Sequence, residues 1–364
     1  DILGCVTSTL QSCPKDFKCA LHTIGLYKKP ALEYWQNKCE NNNIIITNWF
    51  KYNINKLNIN NNSYYRVPDR NINVLLIDFY NTYLVLDNNI FQTSIKKNII
   101  LGQGCTNFDF DDKSNWMSNI VNCSKYELYF NEMTIIGIHD AATYTIYNNS
   151  KAISQIYLKD ICEKNPNHCN LITNIAKNPV RSFAATQDSY NFYDMLNNGI
   201  RYLDLRIIPV SQKTKLIIPT NQEINSIQDI DIYFSHNYVL LNLGLQEGLL
   251  QIKSFISDHP QEVILLYFSH YDGGIYNNNQ FSSILPYFNK KLINYIKNTL
   301  DNHLIKNCYG NYYNKVPSIQ TIYKNNNNKG GVLILYKTDN NLNIICPKNI
   351  NCQTNIFWNA GGSS

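Results

Sequence analysis

The chain has 364 residues, of which 44% are hydrophobic and only 16% are charged. This balance excludes a disordered chain, because such chains have few apolar residues and much charge. The net charge of +5 comes from basic residues scattered along the sequence, which do not form the dense basic surface of a nucleic-acid-binding protein. We therefore expect a globular protein without a nucleic-acid partner.

Cysteines are frequent, eleven in all, and four of them crowd the N-terminal end: Cys5, Cys13, Cys19 and Cys39. Such crowding is typical of a disulfide-stapled module in an oxidising compartment. Three Asn-x-Ser triplets of the kind that accept glycans begin at Asn61, Asn122 and Asn148. No run of apolar residues is long enough to predict a membrane span. We expect a glycosylated protein that is secreted or exposed at the outer cell surface.

The N-terminal third alternates short β-rich runs with turn clusters. The runs at 71–77 and 82–86 combine branched and aromatic residues, with clusters of Asn, Ser, Pro and Asp between and before them. This spacing predicts a small antiparallel sheet. An acidic, turn-like stretch at 109–112 marks a change of character. We predict a Cys-containing β-rich module over residues 1–112 and a second domain over residues 113–364.

Beyond this boundary, apolar strands and helices alternate. The predicted strands lie at 133–138, 201–207, 231–235, 262–268 and 331–336. A helix is predicted over 243–258, where it ends before Pro260. Alternation of this kind indicates a parallel sheet covered by helices, and a closed barrel is one solution. The predicted fold class is α/β.

Polar side chains stand at or near the ends of these strands: His139, Asp140, Asp204, Arg206, His236, Ser269 and His270. In a parallel barrel the carboxyl ends of the strands share one face, which holds the active site. Taken singly, each has an ordinary interpretation. A histidine after a strand is more often structural, and Asp204 with Arg206 forms a common ion pair. Together they predict a converging set of ionisable groups.

Four segments carry a family resemblance. The runs 138–144, 198–206 and 233–236 resemble, in this order, signatures of the phosphatidylinositol-specific phospholipase C X-domain family. The stretch 259–271 is similar to one found in eukaryotic X-domain-containing proteins that lack the other phospholipase modules. The resemblance covers roughly residues 116–340, and it implies a distorted TIM barrel.

The resemblance also implies roles for the polar residues. His139 would be the general base, His236 the general acid, and Arg206 the cation that binds the phosphate oxygens. Asp140 and Asp204 would orient these groups. Such a set cleaves a phosphodiester through the neighbouring inositol hydroxyl, and it would release diacylglycerol and a cyclic inositol phosphate. The expected partner is phosphatidylinositol or a glycosylphosphatidylinositol anchor at a membrane surface.

Calcium-dependent members of the family bind the ion with an Asn and several acidic residues. Here Asp140 replaces the Asn, Arg206 places a positive charge at the strand end, and Tyr267 or Phe268 stands where a Glu would be. The comparison therefore implies a mechanism without a metal or other cofactor.

The sequence departs from the family at two points. Asn237 rather than Gly follows His236, and the Lys that metal-independent bacterial members carry on the fourth strand is absent. Ser269 and His270 lie in its neighbourhood and are candidate substrate-binding residues. Asp339 is a candidate partner of the general base.

Two other functions were weighed. The barrel could be a catalytically weak scaffold in a secreted protein that binds a glycan or a membrane, although a scaffold has no need of converging charges. It could also be a phosphodiesterase for sphingomyelin or lysophospholipid, which would need a magnesium site of carboxylates. Arg206 argues against such a site.

Overall fold

The computed structural model describes residues 74–77, 84–105, 108–130, 132–145, 190–214, 217, 219, 222–236, 239–270, 279–305, 318–336 and 357–359. The strands in these ranges are β1 (Val74–Ile77), β2 (Ile135–Ile138), β3 (Tyr202–Ser211), β4 (Ile230–His236), β5 (Val239–Gly244), β6 (Val263–His270), β7 (Gly331–Tyr336) and β8 (Phe357–Asn359). The helices are α1 (Leu84–Gly102), α2 (Trp116–Cys123), α3 (Phe192–Asn197), α4 (Leu245–Asp258), α5 (Asn279–Leu300) and α6 (Ile319–Asn325). None of these helices has the length and apolar character needed to cross a membrane.

A parallel sheet forms the centre of the fold, with the strand order β1-β2-β3-β6-β7-β8. Its central strands are continuous apolar runs, as expected for strands buried on both faces. The predicted α/β class and the strands predicted near 133–138, 201–207, 262–268 and 331–336 are confirmed. In the described part of the chain, β1 and β8 are the edges of this sheet. Closure into a distorted barrel stays a prediction.

Strand β4 runs opposite to the direction that we predicted for it. A strand near 231–235 is present, but it pairs antiparallel with the second half of β3, and β5 pairs antiparallel with β4. A parallel neighbour needs a crossover connection, usually a helix. Among the described residues between β3 and β4, the only helix is a three-residue 3-10 helix, Ile227–Asp229. The chain therefore turns back as a hairpin, which returns His236 to the carboxyl end of the parallel sheet.

The strand predicted at 82–86 is wrong, because α1 begins at Leu84 and continues to Gly102. Phe91, Ile95 and Asn98 are buried, and their spacing of three to four residues places them on one helical face. The side chain of Asn98 exchanges two hydrogen bonds with the backbone of Thr134, just before β2. Packing of this face outweighs the local β-propensity of a few residues.

The predicted domain boundary at residue 112 is crossed by two connections. Strand β1 pairs with β2 in the parallel sheet, and a disulfide joins Cys105 to Cys123 at the end of α2. Residues 74–105 therefore belong to the same sheet and helix layer as the residues that follow. The four N-terminal cysteines lie outside the described residues, and the division into two domains stays a prediction.

A buried ion pair braces the opposite, amino-terminal end of the sheet. Arg201, just before β3, contacts Glu262, just before β6, with 2.7 Å between Nε and Oε2, and both side chains are fully buried. Two groups of backbone atoms complete the network. The guanidinium donates to the carbonyls of Leu196, Ile200, Lys113 and Ser114, and Glu262 accepts from the first turn of α2 at Met117 and Ser118.

We expect Glu262→Gln to lower the free energy of unfolding by about 3 kcal/mol, because it leaves the buried Arg201 cation without its counter-charge. Urea denaturation would measure this change. The paired variant Arg201→Met with Glu262→Met removes both charges, so it should recover much of the lost stability. A double variant less stable than Glu262→Gln would contradict the explanation by an unpaired buried charge.

Candidate active site

His139 and Asp140 follow β2 on a tight turn. Asp140 has a positive φ of 47°, in the left-handed region that Asp and Asn tolerate better than most residues. The turn continues as a 3-10 helix, Ala141–Thr145, in which the backbone N–H and the hydroxyl of Thr143 both donate to the carbonyl of Asp140. The turn holds His139 and Asp140 at the carboxyl end of the sheet.

Asp204 and Arg206 lie on the same face of β3, because alternate residues of a strand share a face. The register between β3 and β6 shifts between Leu205 and Arg206. Such irregularities bend a strand and re-aim side chains beside active sites. Asp204 accepts a hydrogen bond from the backbone N–H of Asp140 at 3.3 Å, which ties β3 to the turn after β2.

Asp140 is the centre to which the other polar groups converge. Its carboxylate is fully buried, with Oδ1 2.5 Å from Nε of Arg206 and Oδ2 3.0 Å from Nε2 of His236. Nε2 of His139 lies 3.3 Å from the same Oδ2. The three surrounding side chains keep 11% to 17% of their surface exposed. A buried anion therefore holds three nitrogen-bearing groups at an accessible surface.

Asp204 supplies a second carboxylate at a slightly greater distance. Its Oδ2 lies 3.8 Å from Nη2 of Arg206 and 3.9 Å from Nε2 of His139. Arg206 is thus flanked by two carboxylates, which fix the plane of its guanidinium. A guanidinium held in this way presents paired donors to a third anion such as a phosphate.

Burial would raise the pKa of Asp140, but the favourable charge interactions with His236, His139 and Arg206 outweigh it. The pKa of Asp140 is therefore held well below its usual value of 3.8. Asp140 is ionised throughout the neutral range. The charged Asp140 therefore stabilises the folded protein fully at a pH above the pKa of Asp140 in the unfolded chain. This stabilisation is lost as the pH falls through the lower pKa that Asp140 has in the folded protein.

The two imidazoles make different contacts. Nη2 of Arg206 lies 2.9 Å from Nε2 of His139. A guanidinium only donates, so this contact is a hydrogen bond in the tautomer of His139 whose Nε2 is the acceptor. Nε2 of His236 lies 3.0 Å from Oδ2 of Asp140, and because a carboxylate only accepts, this contact favours the tautomer with a proton on that nitrogen. With these two tautomers, His139 would take up a proton and His236 would give one up.

His139, Asp140 and Asp204 offer ligand atoms that lie within 4.8 Å of one another, close enough to share a metal ion. The same carboxylates already face Arg206 at 2.5 Å and 3.8 Å. A divalent cation would have to enter beside this fixed positive charge, at an unfavourable Coulomb energy. The cluster fits an anionic ligand better than a cation.

The five predicted catalytic residues, His139, Asp140, Asp204, Arg206 and His236, lie together. Ser269 and His270 end β6, where His270 pairs in register with Arg206, but their side chains lie outside the described part of the chain. Asp339 is also outside it. Sequence reasoning missed Gln251, which lies on α4 and accepts a hydrogen bond from Tyr144, 107 positions away. A lone glutamine in an amphipathic helix has no local pattern that distinguishes it.

We expect Asp140→Asn to lower any phosphodiester turnover at this site by roughly 10- to 100-fold, as is typical when a group that orients catalytic side chains is lost. Asn tolerates the left-handed backbone of Asp140, so the variant removes the charge without forcing the turn to change. The fall in stability of the native protein below about pH 4 should be shallower in the variant. Thermal unfolding from pH 3 to pH 7 would measure it.

Asp231→Asn is the matched control for this variant. Asp231 is a half-buried strand aspartate that accepts hydrogen bonds from Tyr295 and Gln212, away from the histidines. It should leave turnover near the native level. Equal losses in the two variants would contradict a special role for Asp140.

Comparison with known proteins gives relatives of one kind. The chain is 28% identical over 198 residues to human PI-PLC X domain-containing protein 3, covering 54% of the chain and 49% of that protein. It is 30% identical over 160 residues to the zebrafish (Danio rerio) protein 3, covering 44% and 42%. Human protein 2 is 28% identical over 163 residues, covering 43% and 44%. The matches thus span about half of these relatives, and no family model matches the chain.

Among solved structures, the phosphatidylinositol-specific phospholipase C of Staphylococcus aureus aligns with a TM-score of 0.34 and 15% identity, over 62% of this chain and 53% of that one. The enzyme from Listeria monocytogenes aligns with a TM-score of 0.25 and 18% identity, over 54% and 52%. Both scores are low, and the fold described above rests on the strand pairing of the chain itself. The sequence relatives bear out the resemblance that the motifs predicted: over about half of its length, this chain is similar to the PI-PLC X domain-containing proteins.

Proposed function

We propose that the chain is a phosphodiesterase that cleaves phosphatidylinositol, or the related bond of a glycosylphosphatidylinositol anchor, by general acid–base catalysis without a metal ion. The observation that carries the proposal is the cluster around Asp140, where two histidines and one arginine share a single buried carboxylate. The sequence relatives support the same reaction class. The proposed scaffold is a distorted barrel formed by closure of the parallel sheet.

In the proposed first step, Nε2 of His139 removes the proton of the inositol 2-hydroxyl. The hydroxyl oxygen attacks the phosphorus and forms the new ring bond of a cyclic phosphate. Asp140 and Asp204 lie 3.3 Å and 3.9 Å from this nitrogen, so a proton arriving there meets negative charge. That charge stabilises the imidazolium as it forms.

In the same step, Arg206 binds the phosphate oxygens, whose negative charge grows in the pentacoordinate transition state. Its contact with His139 must then lengthen, which frees Nε2 of His139 to accept the proton. His236 donates its proton to the glycerol oxygen as the phosphorus–oxygen bond breaks, and diacylglycerol departs. Water opens the cyclic product if the two histidines exchange roles.

An oxidising, extracellular setting is part of the proposal. The Cys105–Cys123 disulfide supports it, because disulfides are rare in reducing compartments. Asn122 is exposed at the end of α2 and begins an Asn-x-Ser triplet, so it is available to a glycan. A protein in this setting would meet lipid head groups and anchored proteins at the outer surface of a membrane.

The decisive experiment incubates the full chain with phosphatidylinositol vesicles in excess chelator and with added calcium. Phosphorus NMR of the aqueous phase would identify a cyclic inositol phosphate, and a glycosylphosphatidylinositol-anchored protein would be the second substrate. Equal turnover with and without chelator supports the proposed mechanism. Activity that depends on added calcium would exclude the metal-free mechanism. No turnover of either substrate would favour a binding scaffold.

A further inference from the structure

Gln251 connects two segments beside the candidate active site. Its Oε1 accepts one hydrogen bond from the hydroxyl of Tyr144 at 2.9 Å and another from the backbone N–H of Phe192 at 3.1 Å. Tyr144 lies in the 3-10 helix directly after His139 and Asp140, and Phe192 begins α3. One side-chain oxygen on α4 thus fixes both segments.

Aromatic packing extends this connection to the second histidine. The rings of Tyr144 and Phe192 meet edge to face at 5.6 Å, and Phe192 meets Phe234 at 5.4 Å. Phe234 stands two residues before His236 on β4, so the two residues share a face of that strand. The row Tyr144, Phe192 and Phe234, here called the aromatic row, therefore runs from the turn that carries His139 to the strand that carries His236.

Helix α4 packs closely against the aromatic row. Gly248 lies one turn before Gln251, and a Cβ atom there would come within 2.5 Å of the ring of Phe234 and 2.8 Å of the ring of Phe192. The glycine lets the rings pack directly against the helix backbone. Gln251 then holds Tyr144 at one end of the row and the backbone of Phe192 in its middle with its two hydrogen bonds. Helix α4 thus holds the aromatic row both by close packing and by directional hydrogen bonds.

The site needs such a restraint, because one carboxylate must reach both histidines at about hydrogen-bond distance. Asp140 also has a left-handed backbone, a conformation that persists only where its surroundings determine it. A displacement of about 1 Å between reacting groups lowers a rate by roughly 100-fold. The relative position of the two histidine-bearing elements is therefore a sensitive quantity.

We propose that Gln251 is a positioning residue, which acts through Tyr144 and Phe192 to hold the His139–Asp140 turn at a fixed place relative to His236. The proposal rests on the proposed function for its effect on turnover. The required chemistry is that of an acceptor, because both partners of Oε1 are donors.

Two substitutions separate the acceptor role from side-chain size. Gln251→Glu keeps acceptor oxygens at the same position, whereas Gln251→Met has a similar length and no strong acceptor. Gln251→Met is expected to lower kcat on phosphatidylinositol vesicles by roughly 10- to 100-fold with little change in KM. Gln251→Glu is expected to stay near the native value.

Gln212→Met is the matched control. Gln212 is another half-buried glutamine with a side-chain partner, and it bonds Asp231 at the distant end of the β3–β4 hairpin. It should leave kcat unchanged. Tyr144→Phe removes one of the two donors, and its loss of kcat should not add to that of Gln251→Met, because residues that act through one contact are not additive.

NMR of the ring nitrogens of His139 and His236 tests the positioning role apart from turnover. We expect altered imidazole signals and titration curves in Gln251→Met but native ones in Gln251→Glu. Native signals and native kcat in Gln251→Met would overturn the inference while leaving the proposed function intact. If the native chain turns over neither substrate, the proposed function fails, and the imidazole signals still decide whether Gln251 positions the turn.

Discussion

His139→Ala and His236→Ala should each lower the rate of head-group release by roughly 10²- to 10⁴-fold, the usual contribution of a general base or acid. Each removes a group whose Nε2 atom lies within 3.3 Å of the Asp140 carboxylate. The double variant should be little worse than either single variant, because the two histidines act in one proton-transfer sequence. Initial rates on phosphatidylinositol vesicles would measure all three.

The pH dependence of these variants separates the two roles. A general base works unprotonated and a general acid works protonated, so the proposed activity of the native chain should have a bell-shaped pH profile. The residual activity of His139→Ala should lose the acid limb, and that of His236→Ala should lose the alkaline limb. His303→Gln is the control, since His303 is half-buried beside the amino-terminal end of β7. If both variants kept the native profile, the assignment of base and acid would be wrong.

Arg206→Lys should lower the same rate by roughly 10³-fold, although it keeps the positive charge. The guanidinium contacts Oδ1 of Asp140 through Nε and Nε2 of His139 through Nη2. An ammonium is a single point of charge, so it cannot keep these two contacts while it also offers paired donors to a phosphate. The Arg206→Lys variant would therefore stabilise the negative charge of the transition state less than the native chain does.

Chemical rescue makes this prediction more specific. Arg206→Ala leaves space at the site, and free guanidinium in solution should restore part of its activity while ammonium should not. Lys213→Arg is the converse control, because Lys213 forms an exposed ion pair with Asp229 in which either cation suffices. A fully active Arg206→Lys variant would contradict the need for a planar fork.

Much of the fold was predictable because the central strands are short apolar runs with turn residues at their ends. Strands β2, β6 and β7 have this form, and so the parallel sheet follows from the local sequence. Strand β4 instead alternates buried and half-buried residues, and its direction depends on the length and content of the connection before it. The first turns of α1 carry branched residues typical of strands, and only the burial of a helical face decides their structure.

The candidate site was predictable to a similar degree. Strand ends supplied His139, Asp140, Asp204 and Arg206 because parallel strands share a carboxyl edge. His236 reaches that edge by another route, as the last residue of an antiparallel strand. The central place of Asp140 was not predictable, since it depends on a left-handed backbone and on burial that no local pattern expresses.

The two halves of β3 pair with different strands, and this pairing limits which insertions and deletions the protein tolerates. The first half of β3 is locked between β2 and β6, while its second half pairs with β4 and, at Val210, also bridges Ile217. The place of His236 is therefore determined by hairpin register, so the β3–β4 connection can gain or lose residues without displacing it. A slip of one residue within the hairpin would instead turn His236 to the opposite face. Changes in the length of the β3–β4 connection should therefore be tolerated among relatives of this chain, and changes in the register of the hairpin should not.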